Sequence, residues 1–162
     1  MLAQKHNHVT TKDVKQMGNN NSNIQMRLTS VSEMKFSMDQ NIISGIDDFD
    51  IIQLGFQNTV FPDVKKNVIS INFGVQYSYN GNVALESVYK FSFYVENLTA
   101  YVEVNNNSKL LIKNIMPHML SVAVGTMRGV IVVKAIGTEL SKYPLPMINI
   151  MRLNDKLSAV TP

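Results

Sequence analysis

A chain of 162 residues and 18.2 kDa is long enough for one domain with one hydrophobic core and too short for a two-domain enzyme. Hydrophobic residues at 45% exclude disorder of the whole chain, and the absence of cysteine excludes thiol nucleophiles, disulfides and thiolate metal sites while permitting a reducing compartment. The net charge is +3, and Lys5, Lys12 and Lys15 against Asp13 place +2 of it before Ile24, so the body carries only +1 and no phosphate-tracking stripe that would predict a nucleic-acid partner.

Residues 1–23 are polar and end in Gly18-Asn19-Asn20-Asn21-Ser22-Asn23, which predicts a tail ahead of a single domain over 24–162. His6 and His8 lack a third ligand nearby, so no metal site is expected there. Met1 to Gln16 has no apolar signal region, and the expected location is cytoplasmic.

From Ile24 the period is two. Ile24, Met26, Leu28, Met34 and Phe36 alternate with polar residues, the pattern of a half-buried strand. Asp47, Asp48 and Asp50 form a turn without the glycine and distal glutamate of a calcium loop, and Ile52, Leu54 and Phe56 then resume the alternation. The clearest signal is a hairpin, in which Ile69, Ile71, Phe73, Val75, Tyr77 and Tyr79 are answered by Val83, Leu85, Tyr89, Phe91, Phe93 and Val95 across Asn80-Gly81-Asn82. A two-residue Asn80-Gly81 loop pairs Tyr79 with Asn82 and sets the two apolar rows on opposite faces. A three-residue loop pairs Tyr79 with Val83 and Phe73 with Tyr89, which predicts a bulged turn with Asn82 left-handed.

After Asn105-Asn106-Asn107-Ser108 a helical period begins near Asn114 or Met116 and runs to Ile136, with Pro117 in its first turn and Gly137 as a stop. The β-branched run Val130 to Val133 is the argument for a strand instead. On a helical wheel Leu120, Ala123, Val124, Met127, Ile131 and Ala135 share one face, while Val122, Val130, Val133 and Ile136 fall outside it. A helix apolar nearly all round implies a second protein surface against it. A membrane span is not expected, because a central arginine such as Arg128 costs about 2.5–3.5 kcal/mol on insertion scales. Gly125 and Gly129 fit either helix-on-helix contact or two glycines tolerated against the sheet.

No catalytic constellation is visible. His118 has no cysteine partner, and neither G-x-S-x-G nor a phosphate-binding loop is present. A small hot-dog-type hydrolase with His118 or an acidic residue as base remains the enzyme alternative, by fold analogy alone. Ten methionines, among them Met116, Met119, Met127, Met147 and Met151, suit either core filling or a surface that repacks around varied apolar partners.

Val122-Ala-Val-Gly-Thr-Met-Arg128-Gly129, Gly137-Thr138-Glu139-Leu140 and Tyr143-Pro144-Leu145-Pro146-Met147-Ile148-Asn149 resemble the long helix, crossover loop and second-helix start of SecB-like protein-export chaperones, in particular the compact forms of Bacteroides-type bacteria. The resemblance covers Met26 to Leu153 and implies an α+β fold, a four-stranded antiparallel sheet with one long helix and a short C-terminal helix on one face. It implies a non-enzymatic, cofactor-free, metal-free chaperone that holds unfolded or precursor polypeptides for export and assembles as a homotetramer, a dimer of dimers. Tyr143, Leu145, Met147, Ile148 and Ile131 would then bind client, and Leu120, Val124, Gly125, Arg128 and Gly129 would lie in the oligomer interface. Arg128 is expected there with its planar fork making more than one hydrogen bond, so that Arg128→Ala yields smaller oligomers. The near-neutral body departs from the acidic sheet face through which family members dock on the SecA motor. A related branch serves toxin–antitoxin systems, and the sequence does not separate the two roles; an accessory of a mobile element is a further alternative.

Overall fold

The computed structural model describes residues 24–104 and 110–159; the expected tail over 1–23, with His6 and His8, and the Asn105–Ser108 break lie outside the described residues. Strands β1 (Met26–Met38), β2 (Gln53–Asp63), β3 (Val68–Tyr79) and β4 (Asn82–Val95) form one antiparallel sheet in the order β1-β4-β3-β2. A short helix α1 (Gln40–Ser44) joins β1 to β2, and the long helix α2 (Met116–Lys134) and the C-terminal helix α3 (Ile150–Ala159) complete an α+β domain. Between β4 and α2 the chain adds a two-stranded sheet of β5 (Val102–Val104) and β6 (Leu110–Ile112), for which the sequence pattern gave no warning.

The core lies between one face of the sheet and α2. The alternating rows of β3 and β4 share that face in the register Ile69↔Phe93, Ile71↔Phe91 and Phe73↔Tyr89, and Met119, Leu120, Ala123, Val124, Met127 and Ile131 of α2 are buried with them. Burying each large side chain of this kind contributes about 1.5–3 kcal/mol relative to leaving it in water, which is why the helical stripe and the strand rows specify each other. Pro117 sits in the first turn of α2, where its missing N–H costs nothing, and Gly137 beyond the end has φ of +81°, a conformation that penalises other residues.

The hairpin reaches the expected register by another route. Tyr79 pairs with Asn82, and Asn80 (φ +49°) and Gly81 (φ +77°) are both left-handed, the two-residue turn whose twist matches that of the strands. The irregularity lies one step inward, between Tyr77↔Leu85 and Ser78↔Val83, where Ala84 is the extra residue. That bulge returns the apolar rows to one face, so Phe73↔Tyr89 stands, whereas the Tyr79–Val83 pair and the left-handed Asn82 are corrected.

Edge strand β1 also departs from its simple alternation. Register shifts between Leu28 and Ser30 and between Glu33 and Lys35 place Met26, Leu28, Val31, Glu33, Phe36 and Met38 opposite the core row of β4, and leave Met34 in the second irregularity. The strand is not half-buried as expected: Leu28, Val31 and Met34 are all exposed, because α2 packs over β3 and β4 and meets the edge strand only at its C-terminal end, where Lys134 reaches Glu33 and Phe36.

Candidate binding site

The chain between α2 and α3 crosses the end of the core as an irregular strap. Glu139–Lys142 forms one 3-10 turn, Tyr143 to Asn149 has neither helix nor strand, and α3 then starts with Asn149 Oδ1 accepting from the Arg152 N–H at 3.0 Å. Three aromatic rings gather under the strap. Tyr143 stacks on Phe49 at 6.1 Å between centroids and meets Tyr77 edge-on at 6.1 Å, while the flanking Pro144, Pro146 and Met147 are exposed.

Arg128 projects from α2 to this strap. Its Nε donates to the Leu145 carbonyl at 2.9 Å and its Nη2 to the Pro146 carbonyl at 2.8 Å. The expectation of a fork making more than one hydrogen bond therefore matches the geometry, but the partners are main-chain oxygens of the same chain rather than a second subunit. A lysine ammonium could not span two consecutive carbonyls with the same fixed fork.

Burial sorts the remaining expected site residues. Leu120, Val124 and Ile131 are 0%, 3% and 1% exposed in the chain's own core, so the first two have no surface for a subunit interface and the third none for client. Their stripe is the one that must face the sheet for α2 to bury anything. Leu145 is likewise buried, at 2% exposed, whereas Met147 is 91% exposed and Ile148 half-buried. Gly125 and Gly129 lie on the opposite side of α2, where an added Cβ meets nothing within 4 Å, which removes the reading of glycines tolerated against the sheet.

Two participants were missed. Phe49 lies among the three aspartates of its turn, a setting that signals solvent rather than an aromatic contact, and Tyr77 lies in an apolar strand row where only its hydroxyl marks it as different. Burial drives the Tyr77 phenol far above the usual tyrosine range, the nearby Tyr143 adds to this and Arg128 opposes it. No partner for the Tyr77 hydroxyl is present among the described residues. Asp47 accepts from the Tyr79 hydroxyl, which holds its carboxyl below the usual range, and Asp48 caps the 3-10 turn Phe49–Ile51.

A second cluster ties α2 to the sheet edge. Glu33 of β1 accepts from Lys134 Nζ at the end of α2 and from the Tyr89 hydroxyl, and Lys134 also lies 4.3 Å above the Phe36 ring. The Lys134 contact first, then the tyrosine, holds the Glu33 carboxyl below its ordinary 4.5, and burial pushes the Tyr89 phenol up to about 12. A lowered carboxyl contributes stability that is present above the unfolded value and disappears as pH falls through the folded one. The melting-temperature gap between the wild type and Glu33→Gln will therefore be widest near neutral pH and will close as pH falls below the ordinary 4.5 and through the lowered folded value. A gap unchanged from pH 7 to pH 3 removes Glu33 from the list of acid-sensitive contacts.

His118 is exposed on the first turn of α2, and its side chain makes no hydrogen bond to a described residue, so the second member of a catalytic pair is not found there among the described residues. Among the described residues no group of three or more histidines or carboxylates could hold a metal ion. Several large apolar side chains are left uncovered among the described residues. Leu28 and Val31 on the helix side of β1, Val132, Val133 and Ile136 along the outer side and end of α2, and Met147 and Met151 beside the strap are all exposed. By length and composition alone α2 is also apolar enough to cross a membrane.

No family model matches the sequence, and no curated protein matches it. Among solved structures the chain is similar to the Mycobacterium tuberculosis Rv1957 SecB-like chaperone in complex with a ChAD peptide from the Rv1956 HigA1 antitoxin, at 12% identity and a TM-score of 0.45, over 76% of this chain and 89% of that chain. A likeness at that level leaves the function to be read from this chain's own residues.

Proposed function

We propose that this protein is a cytoplasmic holdase that binds unfolded, apolar stretches of polypeptide at the strap and works as a homo-oligomer. The observation that carries the reading is the apolar surface left open on the helix side: an edge strand and a helix face without a partner, and two exposed methionines where the strap meets α3. A folded chain that spends that much apolar area on water has a use for it in binding. Methionine suits clients of varied sequence because its unbranched, polarizable side chain repacks at little cost.

Self-association is assigned to the outer side of α2, with Gly125 and Gly129 letting a second backbone approach closely, and to the uncovered face of β1. Export of precursors is the preferred setting and service to a toxin–antitoxin pair the alternative. Docking on SecA is not part of the reading, since Arg27, Lys35 and Lys90 outnumber Glu86 on the outer face of β1 and β4, and Lys35 already pairs with Glu86 at 2.6 Å.

A chemically unfolded, reduced client diluted into buffer tests the proposal. One chain per client or a small multiple will suppress its light scattering, and the two will coelute on a sizing column. Scattering unchanged at a tenfold excess, with no coelution, overturns the holdase reading.

A further inference from the structure

We propose that the strap Tyr143–Ile148 is a built-in ligand seated where an extended apolar polypeptide binds, and that Arg128 holds the main chain of whichever of the two is present. This deepens the holdase reading and rests on it. The strap has the properties of a bound client: no secondary structure, one buried leucine between exposed neighbours, and two consecutive carbonyls taken by one guanidinium. Contacts to main-chain oxygens read no sequence, which is what a site for varied clients requires. No described carboxylate forms an ion pair with Arg128, so its fork is free to change main-chain partners.

The strap is also a poor version of that client. Pro144 and Pro146 have no N–H to donate, and the hydroxyl of Tyr77 in the aromatic cluster is buried without a partner among the described residues. An ordinary polypeptide brings main-chain N–H and carbonyl groups at those places. It therefore offers bonds that the strap cannot make, and this is how it competes with a ligand whose attachment gives it a high effective concentration. Until displaced, the strap keeps Leu145 out of water and lowers the apparent affinity for client by the fraction of time it is seated.

The test uses the full chain and two probes: a fluorescent peptide of the strap's sequence with alanine in place of both prolines, Tyr-Ala-Leu-Ala-Met-Ile, which has the two N–H groups the strap lacks, and reduced, carboxymethylated α-lactalbumin. Leu145→Ala, which removes the plug and keeps Arg128, will tighten the peptide at least about tenfold, and adding Arg128→Ala will cancel the gain. In the wild type, which needs no variant to fold, saturating peptide will speed hydrogen exchange at the Tyr143 amide, which donates to the Leu140 carbonyl at 3.0 Å, at least about tenfold and leave those of Ile71 and Phe91 unchanged. Equal peptide affinity in wild type and Leu145→Ala, with strap amides unmoved, overturns the inference. Lactalbumin binding that neither disturbs the strap nor responds to Leu145→Ala overturns it too and spares the holdase reading. Strap displacement by the peptide without any binding of lactalbumin does the reverse.

Discussion

Replacing Phe91 with alanine will lower the stability of the fold by about 3–5 kcal/mol, the range for deleting a buried aromatic ring from a core that relaxes only in part. Phe91 is fully buried on β4, opposite Ile71 of β3 and Val31 of β1, so its ring lies where two central strands and α2 meet. For a domain of this size that loss lowers the melting temperature by about 6–20 °C, read at a single protomer concentration so that assembly does not shift the baseline. Phe61 on β2 provides the contrast: it is half exposed, and its alanine variant will stay within about 0.5 kcal/mol of wild type. Equal losses at the two positions would mean that the sheet is not covered on the Phe91 side.

Strands β3 and β4 and helix α2 were legible because in each the residue period and the burial agree. Isoleucine or phenylalanine at every second position from Ile69 to Phe73, and Leu120, Val124, Met127 and Ile131 at helical spacing, leave one arrangement that buries both sets. The position of the hairpin bulge was not legible, since Asn82 and Ala84 satisfy the register equally and only the twist-matched Asn80-Gly81 turn decides between them. Edge strand β1 misled for a related reason: two bulges break a period that strict alternation assumes. The site was read in part. The segment Tyr143 to Ile148 lies at one place with Arg128, but the sequence does not tell whether a buried leucine such as Leu145 faces the chain's own core or a guest, nor that a turn read for its carboxylates contributes Phe49 to the aromatic cluster. The partners of Arg128 could not be named from the sequence, because a planar fork near an apolar stripe fits a subunit interface as well as an intramolecular carbonyl pair; separation along the chain, 17 and 18 residues here, holds no signal.

Val133→Glu will break the proposed assembly without unfolding the chain. Val133 is 66% exposed on the outer side of α2, so a glutamate there touches no core and changes the stability of the isolated fold by about 0.5 kcal/mol or less. In the proposed assembly the same carboxylate would be buried among neighbours on its own helix that offer it no charge: Val132 and Ile136 are apolar, and Gly125 and Gly129 have no side chain. An unpaired charge in that position costs several kcal/mol, and a two-fold interface repeats the penalty in both copies. Sedimentation of the wild type will give a multiple of 18.2 kDa, and Val133→Glu will shift it toward the single-chain mass by at least about tenfold in dissociation constant, with Lys134 still bonded to Glu33. Val31→Asp on β1 tests the second patch in the same way, since Val31 is exposed although it sits opposite the buried Phe91. A wild type of single-chain mass at every concentration overturns the assembly; if that monomer also binds phospholipid vesicles and Val133→Glu does not, the outer side of α2 covers itself with lipid rather than with a second copy.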